Sequence, residues 1–138
     1  MSGHEFLDTN ILVYAYDNRN PDKQRIARDL VVRAVAGEFV LSTQILAEFA
    51  ATLLHKVTPR AAPDVVVDIL DTLAPIPLIK PNAELVRRAV EAHKAYGVHF
   101  YDGMIIAAAE CAGSEKIFSE DLRAGQDYFG ISVENPFR

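Results

Sequence analysis

The sequence predicts an α/β fold in three layers, with a short, mainly parallel central sheet between two layers of helices. Short apolar segments alternate with longer segments of helical periodicity along the 138 residues. The short segments are uniformly apolar, which is typical of parallel strands buried on both faces. Half of the residues are hydrophobic, and the length is that of one domain. We therefore expect residues 1–138 to form a single domain.

The chain is expected to begin with a strand and a long helix. Residues 4–7 form a short apolar segment that predicts the first strand, and a new element is predicted over 11–16. Asn20 is a favourable N-cap and Pro21 a favourable first helical residue, so a helix is predicted to begin there. Gly37 marks its end.

The middle of the chain repeats this alternation. Residues 39–41 predict the second strand, and Ser42 or Thr43 caps the helix that follows. A further helix is predicted over 63–73, where apolar residues recur at helical spacing. The proline-bounded segment 75–79 predicts another short strand.

The last third of the chain is expected to add two helices and two strands. Asn82 caps a helix that ends near Gly97, and an almost wholly apolar helix follows over 101–112. Strands are predicted at 116–118 and, at the edge of the sheet, at 131–133. The buried face of the helix after Asn82 is predicted to consist of Leu85, Val86, Ala89 and Val90.

Four acidic residues interrupt apolar surroundings along this pattern: Asp8, Glu48, Asp102 and Asp121. Asp8 and Asp121 follow predicted strands, and ligands of parallel sheets bind beyond the carboxyl ends of strands. Glu48 and Asp102 lie near the starts of helices, so all four side chains can face one cleft. Buried carboxylates are costly unless a cation or hydrogen-bond donors compensate them. The pattern therefore predicts a buried metal site.

The ligand types narrow the metal and the reaction. Oxygen donors without His or Cys favour Mg²⁺ or Mn²⁺ over zinc. Such ions can activate water, orient a phosphodiester and stabilise the leaving oxygen. The acids thus favour a metal-dependent nuclease, in which the cations supply the positive charge that an acidic protein lacks.

Each acid also has an ordinary structural explanation. Asp8 can end a strand in a turn held by its own side chain, Asp102 can cap a helix, and Asp121 can be a loop residue. Glu48 borders the apolar stripe of its helix, and an exposed edge position is its only inexpensive alternative. The joint occurrence of the four acids in this order favours the metal site.

Most other charged residues are expected on solvated faces. The net charge of −5 argues against binding of polyanions through bulk positive charge, so any contact with nucleic acid must be local. Five basic residues cluster near the first long helix, where they face solvent or contact RNA or an acidic partner. They are Arg19, Lys23, Arg25, Arg28 and Arg33. The acids expected in solvent include Asp17, Asp64, Asp68, Asp71, Glu110 and Glu120.

The remaining sequence features bear on compartment and chemistry. Cys111 is the only cysteine, and we expect it to be a small core residue in a reducing environment. The four histidines lack metal-ligand spacing, although His99 lies close to Asp102 and can contact substrate. No apolar run approaches the ~18 residues of a membrane span, and no export signal is evident. A cytoplasmic location without membrane contact is expected.

Several segments resemble the PIN-domain family, and the resemblance covers essentially the whole chain. They are residues 6–15 (FLDTNILVYA), 41–49 (LSTQILAEF), 101–109 (YDGMIIAAA), 119–122 (SEDL) and 133–137 (VENPF). The branch that the chain resembles most is the VapC-type toxins of type II toxin-antitoxin systems, which are similar in length.

The resemblance implies a metal-dependent endoribonuclease acting on single-stranded or looped RNA. It implies that the four acids are metal ligands, with Asp121 acting through water or with substrate bound, and that Thr9, Asn10 and Ser119 orient them. It also implies a small antitoxin protein as partner and a homodimer. The chain departs from the family at Gly103, where alanine is common; glycine there can permit a close approach of backbone or substrate.

Two other functions remain open. A haloacid-dehalogenase-like phosphatase also carries an aspartate after its first strand, but it needs a second aspartate two residues later, where this chain has Asn10, and a catalytic lysine with no clear counterpart. A non-catalytic PIN-like module that binds RNA or protein is the other alternative. The presence of all four acids disfavours it.

Overall fold

The computed structural model describes residues 4–138, and within them the chain alternates strands and helices as the sequence predicts. The strands are β1 (Glu5–Leu7), β2 (Phe39–Ser42), β3 (Leu78–Ile79), β4 (Lys116–Phe118), β5 (Asp127–Tyr128) and β6 (Ile131–Glu134). The helices are α1 (Thr9–Ala15), α2 (Pro21–Val35), α3 (Thr43–His55), α4 (Pro63–Leu73), α5 (Ala83–Tyr96) and α6 (Phe100–Cys111).

The strands form one sheet in the order β3-β2-β1-β4-β6-β5. All pairs are parallel except β5 with β6, where Asp127 lies opposite Ser132. The predicted edge position of 131–133 is wrong: this strand lies between β4 and β5, and β5 forms the edge. The strand predicted over 75–79 is reduced to β3, its last two residues.

Strand order places helices on both faces of the sheet. The chain moves from β1 to β2 to β3 in one direction and then returns to β4 on the other side of β1. Because crossovers between parallel strands are right-handed, α1 to α4 cover one face and α5 and α6 cover the other. The three-layer α/β/α fold is confirmed. The order reverses between β1 and β4, where a crevice opens beyond their carboxyl ends.

The α5 and α6 helices pack closely on one another at Gly103. A side chain carbon added there would lie 2.6 Å from the backbone oxygen of Ala89. The glycine therefore permits a close approach of two backbones, one of the two explanations expected for it. On the buried face of α5, Leu85 and Ala89 are confirmed, whereas Val86 and Val90 are exposed and the prediction for them is wrong.

Two further features complete the fold. Cys111 is exposed at the end of α6, so its predicted place in the core is wrong: the helix turns its last residue away from the sheet. Helical caps agree better with expectation, since Asn20, Ser42 and Asn82 each accept a backbone hydrogen bond at a helix start. Among the described helices, none is long and apolar enough to cross a membrane.

Candidate active site

The candidate site is a cavity of about 360 Å³ at the carboxyl ends of β1 and β4, where the strand order reverses. Asp8 follows the last residue of β1, and its N–H donates to the carbonyl oxygen of Phe118 at 3.0 Å, which ties the two strand ends together. All four predicted acids line this cavity: Asp8, Glu48, Asp102 and Asp121. The prediction of one common cleft therefore agrees with the geometry.

Asp8 is the buried member of this set, with a relative exposure of 3%. Its Oδ1 accepts from the N–H of Thr9 at 2.7 Å, so Asp8 also caps α1. Its Oδ2 accepts from the hydroxyl of Ser119 at 2.7 Å and from the amide of Asn10 at 3.4 Å. Burial raises the pKa of Asp8 to about 6, although the bonds from Ser119 and Thr9 lower it.

Asp102 is the third residue of α6 and is half-buried. It does not cap the helix, because His99 is the N-cap and accepts from the N–H of Tyr101. Burial raises the pKa of Asp102, the nearby His99 lowers it, and the negative charge of Asp121 raises it. Asp102 and Asp121 also raise the pKa of Asp8. Three of the four carboxylates therefore repel one another.

Asp121 is exposed in the loop after β4, so its predicted burial is wrong. The amide of Asn10 donates to its Oδ2 at 3.1 Å and so joins it to Asp8. Ser119 is fully buried, and its hydroxyl oxygen accepts from the N–H groups of Asp121 at 3.1 Å and Leu122 at 3.0 Å. Asn10 thus contacts both carboxylates, and Ser119 contacts the carboxylate of Asp8 and the backbone of Asp121.

Glu48 lies in the second turn of α3, lines the cavity and is half-buried rather than buried. Its carboxylate accepts from the amide of Gln44 at 2.6 Å. The same amide donates to the carbonyl oxygen of Tyr101 at 3.2 Å, which joins α3 to the start of α6. Gln44 was missed by the sequence analysis. Its position one turn before Glu48 is the signal that predicts this contact.

The donor set fits a hard divalent cation. Asp8 receives hydrogen bonds from neutral groups alone, so its charge is left without a cationic partner. The hydroxyl of Thr9 beside it is buried and has no hydrogen-bond partner. Carboxylates of this kind are the ligands that Mg²⁺ and Mn²⁺ prefer. Within residues 4–138, however, no group of three His, Cys, Asp or Glu side chains lies close enough together to hold an ion.

A second network borders the cavity and was not predicted. Glu120 accepts from the hydroxyl of Tyr14 at 2.6 Å and forms an ion pair with Lys23. Its N–H donates to the side-chain oxygen of Asn10 at 3.1 Å. Glu120 was expected in solvent, and this expectation is wrong because α2 brings Lys23 to it. The network holds the loop that carries Asp121.

The predicted basic cluster does not form one free patch. Arg19 pairs with Asp17 and lines the cavity, and Arg28 donates to the carbonyl oxygen of Ala15 at 3.0 Å. The remaining members form ion pairs: Lys23 with Glu120, Arg25 with Asp22, and Arg33 with Asp29 and Glu38. Asp17 and Glu110, also expected in solvent, pair with Arg19 and Arg88 respectively.

Solved structures with the same architecture come from toxin-antitoxin systems. A toxin-antitoxin complex from Klebsiella pneumoniae is 21% identical, with 96% of this chain and 97% of that chain covered and a TM-score of 0.67. DNA-bound VapBC from Salmonella typhimurium is 17% identical, with 99% of both chains covered and a TM-score of 0.71. VapC20 from Mycobacterium tuberculosis, a toxin that cleaves the sarcin-ricin loop, is 17% identical, with 85% and 91% covered and a TM-score of 0.64.

At these identities the structural likeness concerns the fold. No curated protein sequence matches the chain. A family model described as the PIN domain matches residues 6–126, which include all four acids of the cavity. The match spans most of the sequence and agrees with the resemblance carried by the segments around Asp8, Glu48, Asp102 and Asp121. The chain belongs to the PIN-domain family.

Proposed function

We propose that the protein is a divalent-metal-dependent endoribonuclease that hydrolyses phosphodiester bonds of single-stranded or looped RNA. The observation that carries this proposal is the buried carboxylate of Asp8, which faces a cavity shared with three further acids and has no cationic partner. Among the solved structures of this fold, one is a toxin that cleaves the sarcin-ricin loop. That precedent supports RNA as the substrate class.

The metal ligands in this proposal are Asp8, Glu48, Asp102 and Asp121, and Mg²⁺ or Mn²⁺ is the cofactor. When bound, such an ion lowers the pKa of water and neutralises charge that develops on the phosphate. In this proposal Asn10 orients the carboxylates of Asp8 and Asp121, Ser119 orients that of Asp8, and Gln44 orients that of Glu48. The buried position of Asp8 excludes bulk water from one side of the site.

We also propose that the protein is the toxin of a toxin-antitoxin pair, with a small antitoxin protein as partner and a homodimer as its assembly. The Klebsiella and Salmonella structures are toxin-antitoxin complexes with this fold. Exposed valines on α2, α4 and α5 supply apolar surface for such contacts: Val32, Val65, Val67, Val86 and Val90. A single domain over 1–138 and a cytoplasmic location belong to the same proposal.

The two alternatives make different use of the same residues. In a haloacid-dehalogenase-like phosphatase, the residue two positions after the first aspartate carries a carboxylate. Here that residue is Asn10, whose amide bridges Asp8 and Asp121. A non-catalytic module would have no need for a buried, unpaired carboxylate that costs folding free energy. Both alternatives are therefore less favoured than the nuclease.

The test is RNA cleavage by the purified protein with and without Mg²⁺ or Mn²⁺. We expect metal-dependent cleavage that Asp8→Asn and Asp102→Asn abolish, whereas the exposed Asp68→Asn of α4 keeps full activity as the matched control. Cleavage that persists in a chelator, or full activity of Asp8→Asn, would refute the nuclease. Hydrolysis of small phosphate monoesters in place of RNA would favour the phosphatase. Co-purification with a small co-expressed antitoxin tests the partner.

A further inference from the structure

Arg19 is the one basic side chain that lines the acidic cavity, counted over the part of the chain that the structure describes. Its Nε donates to both carboxylate oxygens of Asp17, at 3.0 and 3.1 Å, and its Nη2 donates to Oδ2 at 2.7 Å. Asp17 is nearly buried, with 11% of its side chain exposed, whereas that of Arg19 is 61% exposed. A fixed carboxylate therefore holds an accessible guanidinium at the cavity rim.

This arrangement leaves the outer side of the guanidinium free. Of its five N–H donors, the bonds to Asp17 use the one on Nε and one on Nη2. Three donors remain, in the planar geometry that suits phosphate oxygens. Lys23 is already committed to Glu120 and Tyr14, and Arg28 to the backbone of Ala15. Arg19 is thus the cation available to a ligand in this cavity.

A second cavity adjoins the first at Asp121. Its volume is about 340 Å³, and it shares Glu120 and Asp121 with the first cavity. Arg123 and Arg138 line it, both exposed. Neither forms an ion pair with a carboxylate of residues 4–138. Glu120 and Asp121 are therefore shared by a cavity that holds one exposed arginine, Arg19, and a cavity that holds two, Arg123 and Arg138.

We propose that these two cavities form one track for a single strand of RNA, in which Arg19 binds a phosphate on one side of the bond to be cut and Arg123 with Arg138 binds a phosphate on the other side. Each cavity lies within the roughly 300–1,000 Å³ typical of small-ligand pockets. Exposed guanidinium groups at both ends match the regular negative charge of a nucleic-acid backbone. The proposal rests on the proposed ribonuclease function and adds the path of its substrate.

The test measures binding of a labelled single-stranded RNA that the wild-type protein cleaves. All variants carry Asp8→Asn so that the RNA stays intact during titration. We expect Arg19→Gln and Arg123→Gln each to weaken binding about tenfold at low salt, the usual loss for a charged hydrogen bond. Each is expected to lower the slope of log affinity against log salt by about 0.7, the value for one phosphate contact on a single strand.

Arg25→Gln is the matched control. Arg25 is also an exposed arginine paired with an aspartate, Asp22, but it lines neither cavity, so its removal should change binding less than twofold. Arg19→Lys is a second variant for the same contact. It keeps the positive charge but removes the planar fork that pairs with Asp17 and with phosphate oxygens, so affinity should fall while the salt slope is nearly unchanged.

With Asp8 intact, the same substitutions separate binding from catalysis. Arg19→Gln and Arg123→Gln should raise KM and leave kcat nearly unchanged, because phosphates away from the cut bond contribute equal binding before and during reaction. If the wild type cleaves RNA but both variants match Arg25→Gln in binding and KM, the track is refuted and the ribonuclease function stands. If the wild type cleaves no RNA with Mg²⁺ or Mn²⁺, the function fails and the track fails with it.

Discussion

Replacing Asp8 with asparagine should stabilise the protein when no metal is present. The ordinary pKa of this carboxyl is 3.8, and burial raises it to about 6 in the folded chain. A shift of about 2 units corresponds to about 3 kcal/mol of unfavourable free energy for the ionised form. The folded state binds the proton more tightly, so stability is lost as pH rises from about 4 to 6, and the full cost remains above pH 6.

Asparagine removes the charge but does not reproduce every hydrogen bond. Its oxygen can still accept from the N–H of Thr9, whereas its amide nitrogen would replace the oxygen that accepts from Ser119 at 2.7 Å. The hydroxyl proton of Ser119 would then lose its acceptor, at a cost of about 1 kcal/mol. The expected net gain for Asp8→Asn is therefore about 2 kcal/mol at pH 8.

Urea unfolding in a chelator measures this gain. With a slope of about 1–3 kcal/mol per molar urea for a small protein, the midpoint should rise by about 1 M at pH 8. At pH 4 Asp8 is protonated in the folded state, so the gain disappears and the lost acceptor of Ser119 remains; the variant should then unfold at up to about 0.5 M less urea than the wild type. Asp68→Asn, an exposed control, should show no such pH dependence. An Asp8→Asn variant that is less stable than wild type at pH 8 would show that the carboxylate is not an isolated buried charge.

Three further outcomes follow from the same contacts. Millimolar Mg²⁺ or Mn²⁺ should raise the melting temperature of the wild type but hardly that of Asp8→Asn, as calorimetry can test; equal shifts would contradict metal binding at this site. Ser119→Ala should lower the free energy of unfolding by about 2–3 kcal/mol in urea, because the N–H groups of Asp121 and Leu122 lose the hydroxyl that accepts from them. The control Ser132→Ala, at an exposed serine, should cost under about 0.5 kcal/mol. Gly103→Ala should lower the free energy of unfolding by about 1–2 kcal/mol, although alanine favours helix more than glycine does, because the added carbon meets the backbone of Ala89. Unchanged stability would mean that α5 and α6 can move apart without cost.

Local signals predicted most of the fold. Asn20, Ser42 and Asn82 cap the helices they were expected to cap, since a capping bond involves residues only three apart. β5 was missed because its two residues are too few to show strand periodicity, although it pairs locally with β6 and the N–H of Gly130 donates to Asp127. Tyr96, from α5, also supports this strand. The centroids of the Tyr96 and Tyr128 rings lie 5.0 Å apart, and the Tyr96 hydroxyl accepts from the N–H of Phe129.

Helical periodicity was ambiguous where apolar residues cover more than one face. On α5, Val86 and Val90 follow Leu85 and Ala89 by one residue each, so one pattern fits two adjacent stripes. The structure buries one stripe against α6 and leaves the other exposed. Contact with α6 determines which of the two stripes is buried. The sequence of α5 alone carries no information about that contact.

The sequence predicted which acids form the candidate site but not how deeply each one is buried. Asp8, Glu48, Asp102 and Asp121 share one cavity, yet only Asp8 is buried. Burial depends on what the neighbouring strand ends and loops place over each carboxylate, and these come from distant parts of the chain. Ser119, which covers Asp8, is separated from it by 111 residues.

This unequal burial implies unequal roles for the four acids. Asp8 accounts for most of the unfavourable electrostatic free energy of the site, because burial raises its pKa most and no cationic side chain pairs with it. Asp121 is exposed and held by Asn10, and Glu48 is held by Gln44, so each keeps a neutral partner on a solvated or half-solvated wall. A cation that binds in the cavity neutralises the charge of Asp8 first. Binding then removes the unfavourable free energy of burying that charge, and this contributes to the affinity for the ion. The carboxylate that most destabilises the free fold is for this reason the one on which metal affinity should depend most.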